Sequence, residues 1–589
     1  MTILHRPTRE YVIPVSRTKL SIRFECQPDR NKDWNIVYWN RFHESVRYTE
    51  PFRFLGGDGM LDSFLCELET EESTKYLRYY ISSSDETVFC GANGVTAAPP
   101  ETCFEYLYTN ECDVFETPDW AKGAIAYQIF PERFENGDPA LSPVGAEPWG
   151  SQPTRENFMG GDLRGIIRRL DHLSSLNVDI LYLTPIFKSP SNHKYDTADY
   201  FSIDPAFGTV DDLKELTKQC HARGIRVLLD GVFNHCGYEF APFQDVLEKG
   251  DQSQYWDWFF VESSPVQTDP HNYDCVGYYK WMPKMRMSNP DVRAFFLSVG
   301  TFWIREADID GWRLDVADEV DFTFWQAFRS AIHTVKPDAL LIGESWKDAG
   351  DMLRGDQMDS VMNYLFRSSL IGFFANNESA ESFDAQLQRL QRLYPQPTQQ
   401  VLYNLIGSHD TDRFLTLCGG DLRKLKLAAA FQMTYTGMPA IYYGDEIGMT
   451  GENDPDCRKA MDWAGADESL LSYYQKMTSL RRSEKALQLG DFHTLHVSDN
   501  AYAFARRFEN ETIVALFNRS AESVELSIPV AECEKGSMYS LLSGDELPLR
   551  PIDHNDRFYR EDRMRYRSSF SVVLPAYGAE ILKFKEETV

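Results

Sequence analysis

The stretch Gly311-Trp312-Arg313-Leu314-Asp315-Val316-Ala317-Asp318 sets an arginine two residues before an aspartate inside an otherwise apolar run. In an extended segment, side chains two residues apart point to the same face. Arg313 and Asp315 therefore share a side, and the pairing removes the prohibitive cost of burying a lone charge. A neighbouring guanidinium also keeps a carboxylate ionised and oriented, which a carboxylate nucleophile requires in order to attack carbon. Taken alone, the stretch reads equally well as a structural ion pair at a strand end.

Three other apolar runs end in the same way. Leu340–Ile342 leads into Gly343-Glu344-Ser345-Trp346, Leu402–Ile406 leads into Gly407-Ser408-His409-Asp410, and Ile225–Leu229 leads into Asp230, Asn234 and His235. Each reads as a buried strand with polar groups at its C-terminal tip. Enzymes built on a parallel barrel assemble their sites at that face from several strand tips, so the distribution predicts a catalytic barrel.

Apolar, β-branched or aromatic runs recur at 125–130, 180–186, 227–233, 309–316, 340–346, 361–366, 401–406 and 440–443. Segments of helical period separate most of them, such as 211–221 and 322–335, which is the βαβ rhythm of a (β/α)8 TIM barrel in the α/β class. The rhythm breaks between about 236 and 288, a stretch rich in aromatics that predicts an inserted loop domain after the third strand. Aromatic rings beside a carboxylate cluster suit stacking on sugar rings, or else a small satellite core. Short alternating runs at 19–26, 35–39 and 76–82 predict an N-terminal β-sandwich over 1–119. The barrel is then expected over 120–488, and strand signals from 501 to 584 predict a C-terminal antiparallel sandwich over 489–589.

Four short signatures stand in order: DGVFNH at 230–235, GWRLDVADE at 311–319, GESW at 343–346 and GSHDT at 407–411. With MPKMR at 282–286 and YQIFPERFENGDP at 127–139, they resemble the α-amylase family of glycoside hydrolases, and within it the neopullulanase, cyclomaltodextrinase and maltogenic amylase group. The resemblance implies Asp315 as nucleophile, Glu344 as general acid/base and Asp410 as the third carboxylate, which grips sugar hydroxyls. It implies substrate-binding roles for Tyr195, His193, Asp230, His235, Arg313, Trp346, His409, Asp454 and Arg458. It also implies a structural calcium held by Asn136, Asp138, Gly160 and Asp162, although Ala140-Leu141-Ser142 stand where further ligands would lie. The chemistry itself needs no cofactor. Met285, Arg286 and Ser345 depart from the group's usual residues and border the acceptor side, where preference among cyclodextrins, pullulan, starch and maltooligosaccharides is set.

The chemistry points the same way. Cleaving an acetal with retention takes one carboxylate as nucleophile and a second, protonated one as acid, about 5–5.5 Å apart. Anionic neighbours raise the acid's proton affinity, and Asp315 and Asp410 are expected to do so for Glu344. A divalent-cation site would bring a Cys/His cluster or carboxylates at helical spacing, and the sequence has neither beside these acids. A transglycosylase would use the same residues, differing only in what resolves the covalent intermediate. A catalytically dead relative would lose carboxylates that this chain keeps.

A net charge of -29 argues against nucleic acid and anionic lipid as partners and for a neutral α-glucan. No run is apolar and long enough to span a bilayer. The segment Met1–Pro7 lacks the apolar core of a secretory signal, and eleven scattered cysteines suit a reducing compartment, so a cytoplasmic location is expected. The resemblance further implies a homodimer formed through the N-terminal domain.

Overall fold

The computed structural model describes all residues except 30, 58, 72, 111–112, 531–535, 553–565 and 586–589. Two compact units emerge. One comprises 117–376 and 400–489, and the other comprises 1–116, 377–399 and 490–589.

The first unit is the barrel. Its strands are β1 (Ala126–Ile129), β2 (Ile180–Leu183), β3 (Arg226–Gly231), β4 (Gly311–Leu314), β5 (Leu340–Gly343), β6 (Ser360–Val361), β7 (Tyr403–Leu405) and β8 (Met438–Tyr442). They form one parallel sheet in the order β6-β5-β4-β3-β2-β1-β8-β7, and a single parallel bridge between Met362 and Tyr403 closes the ring. Nearly every strand residue is buried, as expected when helices cover the outside and side chains fill the inside. Ala126, Ile180, Tyr182, Leu228, Leu340, Ile342, Tyr403 and Met438 belong to one continuous core cluster.

Local sequence explains where the covering helices start. Thr209 forms a capping box with Asp212 ahead of α1 (Val210–Ala222). Asn289 caps α2 (Pro290–Ala307), with Pro290 placed where its missing N–H costs nothing. Asp321 caps α3 (Phe322–Val335). The run at 361–366 differs from its expected extended form: only Ser360–Val361 is strand, and α4 (Tyr364–Leu370) begins at once. The cause is Asn363, whose side-chain oxygen accepts from Phe366 N–H at 3.1 Å and starts the helix.

The excursion after β3 holds one helix, Ala241–Lys249, and otherwise 3-10 turns and isolated bridges. Its aromatics divide. Phe259 and Tyr273 are buried around Phe243 and Trp258 is buried against Phe295, the satellite-core reading, whereas Tyr278, Tyr279 and Trp281 are exposed.

In the second unit the N-terminal residues form a five-stranded and a six-stranded antiparallel sheet. The alternation in Lys19–Cys26 buries Leu20, Ile22, Phe24 and Cys26 among Trp34, Ile36 and Phe64. The C-terminal residues form a six-stranded and a three-stranded sheet enclosing Ala503, Val514, Leu516, Ile528, Phe570 and Leu582. Residues 377–399, with helix Ala380–Leu393, join this unit although the chain reaches them from the barrel. Asp384 on that helix accepts from Thr494 and Tyr502 hydroxyls, each at 2.7 Å.

Candidate active site

Register places the charged residues. In the β3–β4 ladder Asp230 is the direct partner of Arg313, and in the β4–β5 ladder Gly311 pairs with Leu340. That close approach needs glycine: a Cβ at 311 would lie 2.0 Å from Leu340 O. Beyond the last paired residues, Leu314 and Gly343, the two strands carry Asp315 and Glu344 side by side.

Arg313 is the hub. Its Nη1 donates to Asp230 Oδ1 and Oδ2 at 2.9 Å and to Asp315 Oδ1 at 2.7 Å. Its Nη2 lies 2.9 Å from Glu344 Oε2, an ion pair outside hydrogen-bond alignment. Two carboxylates held at the two ends of one planar guanidinium sit a few ångströms apart, on the scale of the about 5–5.5 Å used in retaining hydrolysis. Glu344 receives two further donors, Val316 N–H to Oε2 at 2.9 Å and Trp346 Nε1–H to Oε1 at 3.1 Å.

A second cluster comes from the tips of β7 and β8. His409 Nε2 lies 3.0 Å from Asp410 Oδ2, and Arg458 Nη2 donates to Asp410 Oδ1 at 3.0 Å. Arg458 also donates to His409 O at 2.7 Å and pairs with Asp454 at 2.9 Å, tying the 454–458 loop to the 409–410 loop. Tyr195 joins the two clusters: its hydroxyl is 3.0 Å from Asp230 Oδ2 and 2.6 Å from His409 Nε2, and its ring stacks on His409 at 5.4 Å. All three carboxylates thus stand within one connected network.

The charges are unequal. Burial pushes Asp315 well above the usual carboxylate range; Arg313 pulls against it, and Glu344 and Asp230 add repulsion. Burial likewise raises Asp230 despite Arg313 and the Tyr182 hydroxyl, which donates to it at 2.6 Å. The elevation falls on Asp315, the carboxyl flanked by Asp230 and Glu344. Three carboxylates around one guanidinium leave a local formal charge of -2 (three negative, one positive). At Asp410, burial is outweighed by His409 and Arg458, which hold the carboxyl well below its usual range.

The remaining expected residues fall around these clusters. Asp230 and Arg313 are buried, and Arg313 ties Asp230 to Asp315 and Glu344. His193 lies against the same loops and interacts with Arg458 and Asp454; burial drops it to about 4. His235 is also dropped to about 4 by burial, and neither ring nitrogen has a hydrogen-bonded partner, although the Tyr195 main chain lies close. Both polar side-chain atoms of adjacent Asn234 are buried and unpartnered too. Trp346 is exposed and stacks on Tyr364 at 3.8 Å with an 8° tilt. Of the departures, Ser345 donates to Asp318 at 3.2 Å and Arg286 to Phe259 O at 2.9 Å.

The calcium expectation does not fit the donors present. Asp162 Oδ2 accepts from Gly137 and Asp138 N–H at 2.9 and 2.7 Å, and Oδ1 accepts from Gly165 N–H at 2.7 Å, so the carboxylate caps a turn and the helix Leu163–Arg168. Asn136 donates to Ser142 Oγ at 3.0 Å, and that hydroxyl lies 2.3 Å from where a Cβ at Gly160 would be, filling the cradle. Calcium takes about six to eight oxygens, and Asn136 Oδ1 is the one buried oxygen here left without a partner. Among the described residues, no group of three or more His, Cys, Asp or Glu is placed to hold a metal.

Sequence patterns missed Gln128, Tyr182 and Tyr364. Gln128 Nε2 lies 2.7 Å from His409 Nδ1 and fixes that ring from β1. A polar residue inside the apolar run Ala126–Ile129 was the available signal. Tyr182 and Tyr364 look like ordinary core aromatics in sequence and carry none.

Comparison with known proteins agrees with the geometry. Residues 128–478 match the model of the alpha amylase catalytic domain, 1–110 the alpha amylase N-terminal ig-like domain and 492–551 the maltogenic amylase C-terminal domain. A cyclomaltodextrinase of Geobacillus thermopakistaniensis (strain MAS1) is 44% identical over 560 residues, covering 92% of this chain and 95% of the relative. Neopullulanase 2 of Thermoactinomyces vulgaris is 44% identical over 559 residues, with the same two coverages, 92% and 95%. Among solved structures, a cyclomaltodextrinase superposes with TM-score 0.91 at 37% identity, covering 99% of each chain.

Proposed function

Because the chain belongs to the alpha-amylase family of glycoside hydrolases, we propose that it hydrolyses α-1,4-glucosidic bonds of cyclodextrins, pullulan, starch or maltooligosaccharides by retaining double displacement, with some transfer to sugar acceptors. The observation that carries this reading is the single guanidinium of Arg313 gripping Asp315 and Glu344 from its two ends. The names of the relatives support the substrate class.

In the first half-reaction Asp315 attacks the anomeric carbon while Glu344 protonates the departing glycosidic oxygen, giving a covalent glucosyl ester and a leaving sugar with a free 4-hydroxyl. In the second, Glu344 takes a proton from water, which cleaves the ester with a second inversion. Asp410, held ionised by His409 and Arg458, is suited to accept hydrogen bonds from two hydroxyls of the reacting ring. Tyr195 offers that ring an aromatic face, and the stacked Trp346–Tyr364 pair offers a platform for the leaving sugar. His235 and Asn234, buried without partners, are suited to bond hydroxyls at the cleavage point.

Nine described cysteines are free thiols, which supports an intracellular setting, and no helix of the described residues is long and apolar enough to cross a membrane. Exposed Phe42, Val46 and Tyr48 on the N-terminal sandwich support its role in a homodimer, which light scattering would test. The reading itself is tested by following the anomeric configuration of products from β-cyclodextrin, pullulan and maltoheptaose by NMR. An initial α-anomer supports it; an initial β-anomer, or no glucan cleavage, overturns it. Product lengthening that outruns glucose-equivalent release would instead mark a transglycosylase.

A further inference from the structure

Val316, directly after Asp315, has φ 45 and ψ 47, the left-handed region. It is the only β-branched residue among the described non-glycine residues with positive φ, and for a β-branched side chain this backbone is strained. Such strain persists only where the surroundings impose it, and it concentrates at functional sites.

What the conformation achieves can be read from the amides. Along an extended strand successive N–H groups alternate between the two neighbouring strands. Asp315 N–H follows the rule and bonds Gly231 O of β3 at 3.0 Å. Val316 N–H turns to the other side and meets Glu344 Oε2 at 2.9 Å. Ala317 N–H should return toward β3, yet the left-handed turn sends it to Glu344 O at 3.1 Å. Two consecutive amides therefore clasp one residue, by carboxylate and by carbonyl, in the manner of a backbone anion nest.

The two carboxylate oxygens of Glu344 are not equivalent. Oε2 faces both Val316 N–H and Arg313 Nη2, whereas Oε1 accepts only from Trp346 Nε1–H. We infer that Val316 is a positioning residue for the acid/base: with Arg313 its strained amide fixes Oε2 as the accepting oxygen, so the transferable proton rides on Oε1, beside Trp346. The inference rests on Glu344 being the acid/base. In the step itself the Oε1–H bond breaks and its proton goes to the glycosidic oxygen. That oxygen keeps the electron pair of the broken C–O bond as Asp315 bonds the anomeric carbon. The charged and titratable groups around Glu344 are Arg313 and Asp315 on β4, Asp230 behind Arg313, Tyr364 on α4 and Asp410 beyond Tyr364, and none changes in the test.

The test exchanges the Val316 amide for an ester by incorporating the α-hydroxy analogue of valine, which removes the N–H donor and keeps the side chain. V316G serves as companion, since glycine adopts this φ freely and keeps the amide. Removing a donor from a carboxylate favours its protonated form. The ester variant should therefore show the alkaline limb of its kcat/KM profile moved up by about one pH unit, the worth of one hydrogen bond. Its kcat on maltoheptaose should fall about tenfold, while kcat on 2,4-dinitrophenyl maltoside, whose leaving group needs little protonation, stays within about twofold. V316G, which keeps the amide donor, should keep the wild-type position of the alkaline limb. Equal losses on the two substrates, no loss on either, or a V316G profile like that of the ester would overturn the inference. Glu344→Gln separates the two levels: no leaving-group dependence in that variant sinks the acid/base reading itself, whereas dependence in Glu344→Gln without dependence in the ester sinks only the role of Val316.

Discussion

Asp315→Asn separates two explanations of the Arg313–Asp315 pair, a nucleophile with its orienting cation or a structural ion pair, because they predict opposite signs for stability. Asparagine keeps the shape and one acceptor oxygen, so the 2.7 Å contact from Arg313 Nη1 survives. Without a nucleophile the first half-reaction has no route to the covalent ester. Turnover on maltoheptaose should fall by at least about 10⁴-fold, about 5.4 kcal/mol of lost barrier lowering.

The stability arm follows from the charges. Folding burial raises Asp315 well above its unfolded range, so its ionised form is held at a cost to the fold. For an acid whose folded value is raised, stability is highest at low pH and declines as pH rises through that folded value. The variant has no such ionisation. It also lowers the crowding around Arg313 from three carboxylates to two, a local charge of -1 in place of -2. Relief of a functional charge of this kind is worth about 1–2 kcal/mol, an increase of roughly 2–8 °C in the barrel's melting temperature by calorimetry at pH 7. A structural pair would give the reverse, a loss of about 3–5 kcal/mol on breaking a buried salt bridge. Activity within tenfold of wild type, or a melting temperature lowered by several degrees, would refute the reasoning.

Glu344→Gln should reduce kcat on maltoheptaose by about 10²–10⁴-fold while aryl maltosides with good leaving groups still release phenol in a first burst, measured by stopped-flow absorbance. Dialysis against EDTA should leave the melting temperature and kcat within error of a calcium-supplemented sample, since Asp162 is engaged by three backbone N–H groups and Ser142 fills the space beside Gly160; a fall restored by calcium would show that the donors rearrange around an ion. Burial holds His235 at about 4, below its unfolded value of about 6.5, so the unfolded chain binds the proton first between those limits. Stability from this residue is full above pH 6.5, declines as pH falls toward 4 and is flat below, a span on the order of 3 kcal/mol, and His235→Gln should flatten that part of a urea-unfolding profile.

Much of this was legible because a parallel barrel converts register into position. Once Asp315, Glu344 and Asp410 are recognised as strand-tip residues, their convergence follows from the fold, and the ladder that pairs Asp230 with Arg313 delivers the salt bridge without further information. What stayed illegible depends on rotamers and on distant chain segments. Gln128 reaches His409 across 281 residues, and the attachment of helix Ala380–Leu393 to the terminal sandwiches comes from packing that no local pattern encodes. The calcium expectation meets a related limit: sequence shows which oxygens exist but not that both Asp162 oxygens accept from backbone amides.

The same distinction explains why counting acids along the sequence does not reveal the raised proton affinity of Asp315. Position decides it. Asp315 and Asp230 accept from the same Nη1, so neither has the guanidinium to itself, and Asp315 stands between Asp230 and Glu344. Glu344 sits at the far nitrogen as an ion pair and accepts from two N–H groups. A nucleophile that is costly to ionise gains stabilisation as its charge is consumed in the bond to the anomeric carbon. The electrostatics at Asp315 therefore run in the direction of the first chemical step, and the arrangement of charges around that carboxyl, rather than the number of acids, produces that bias.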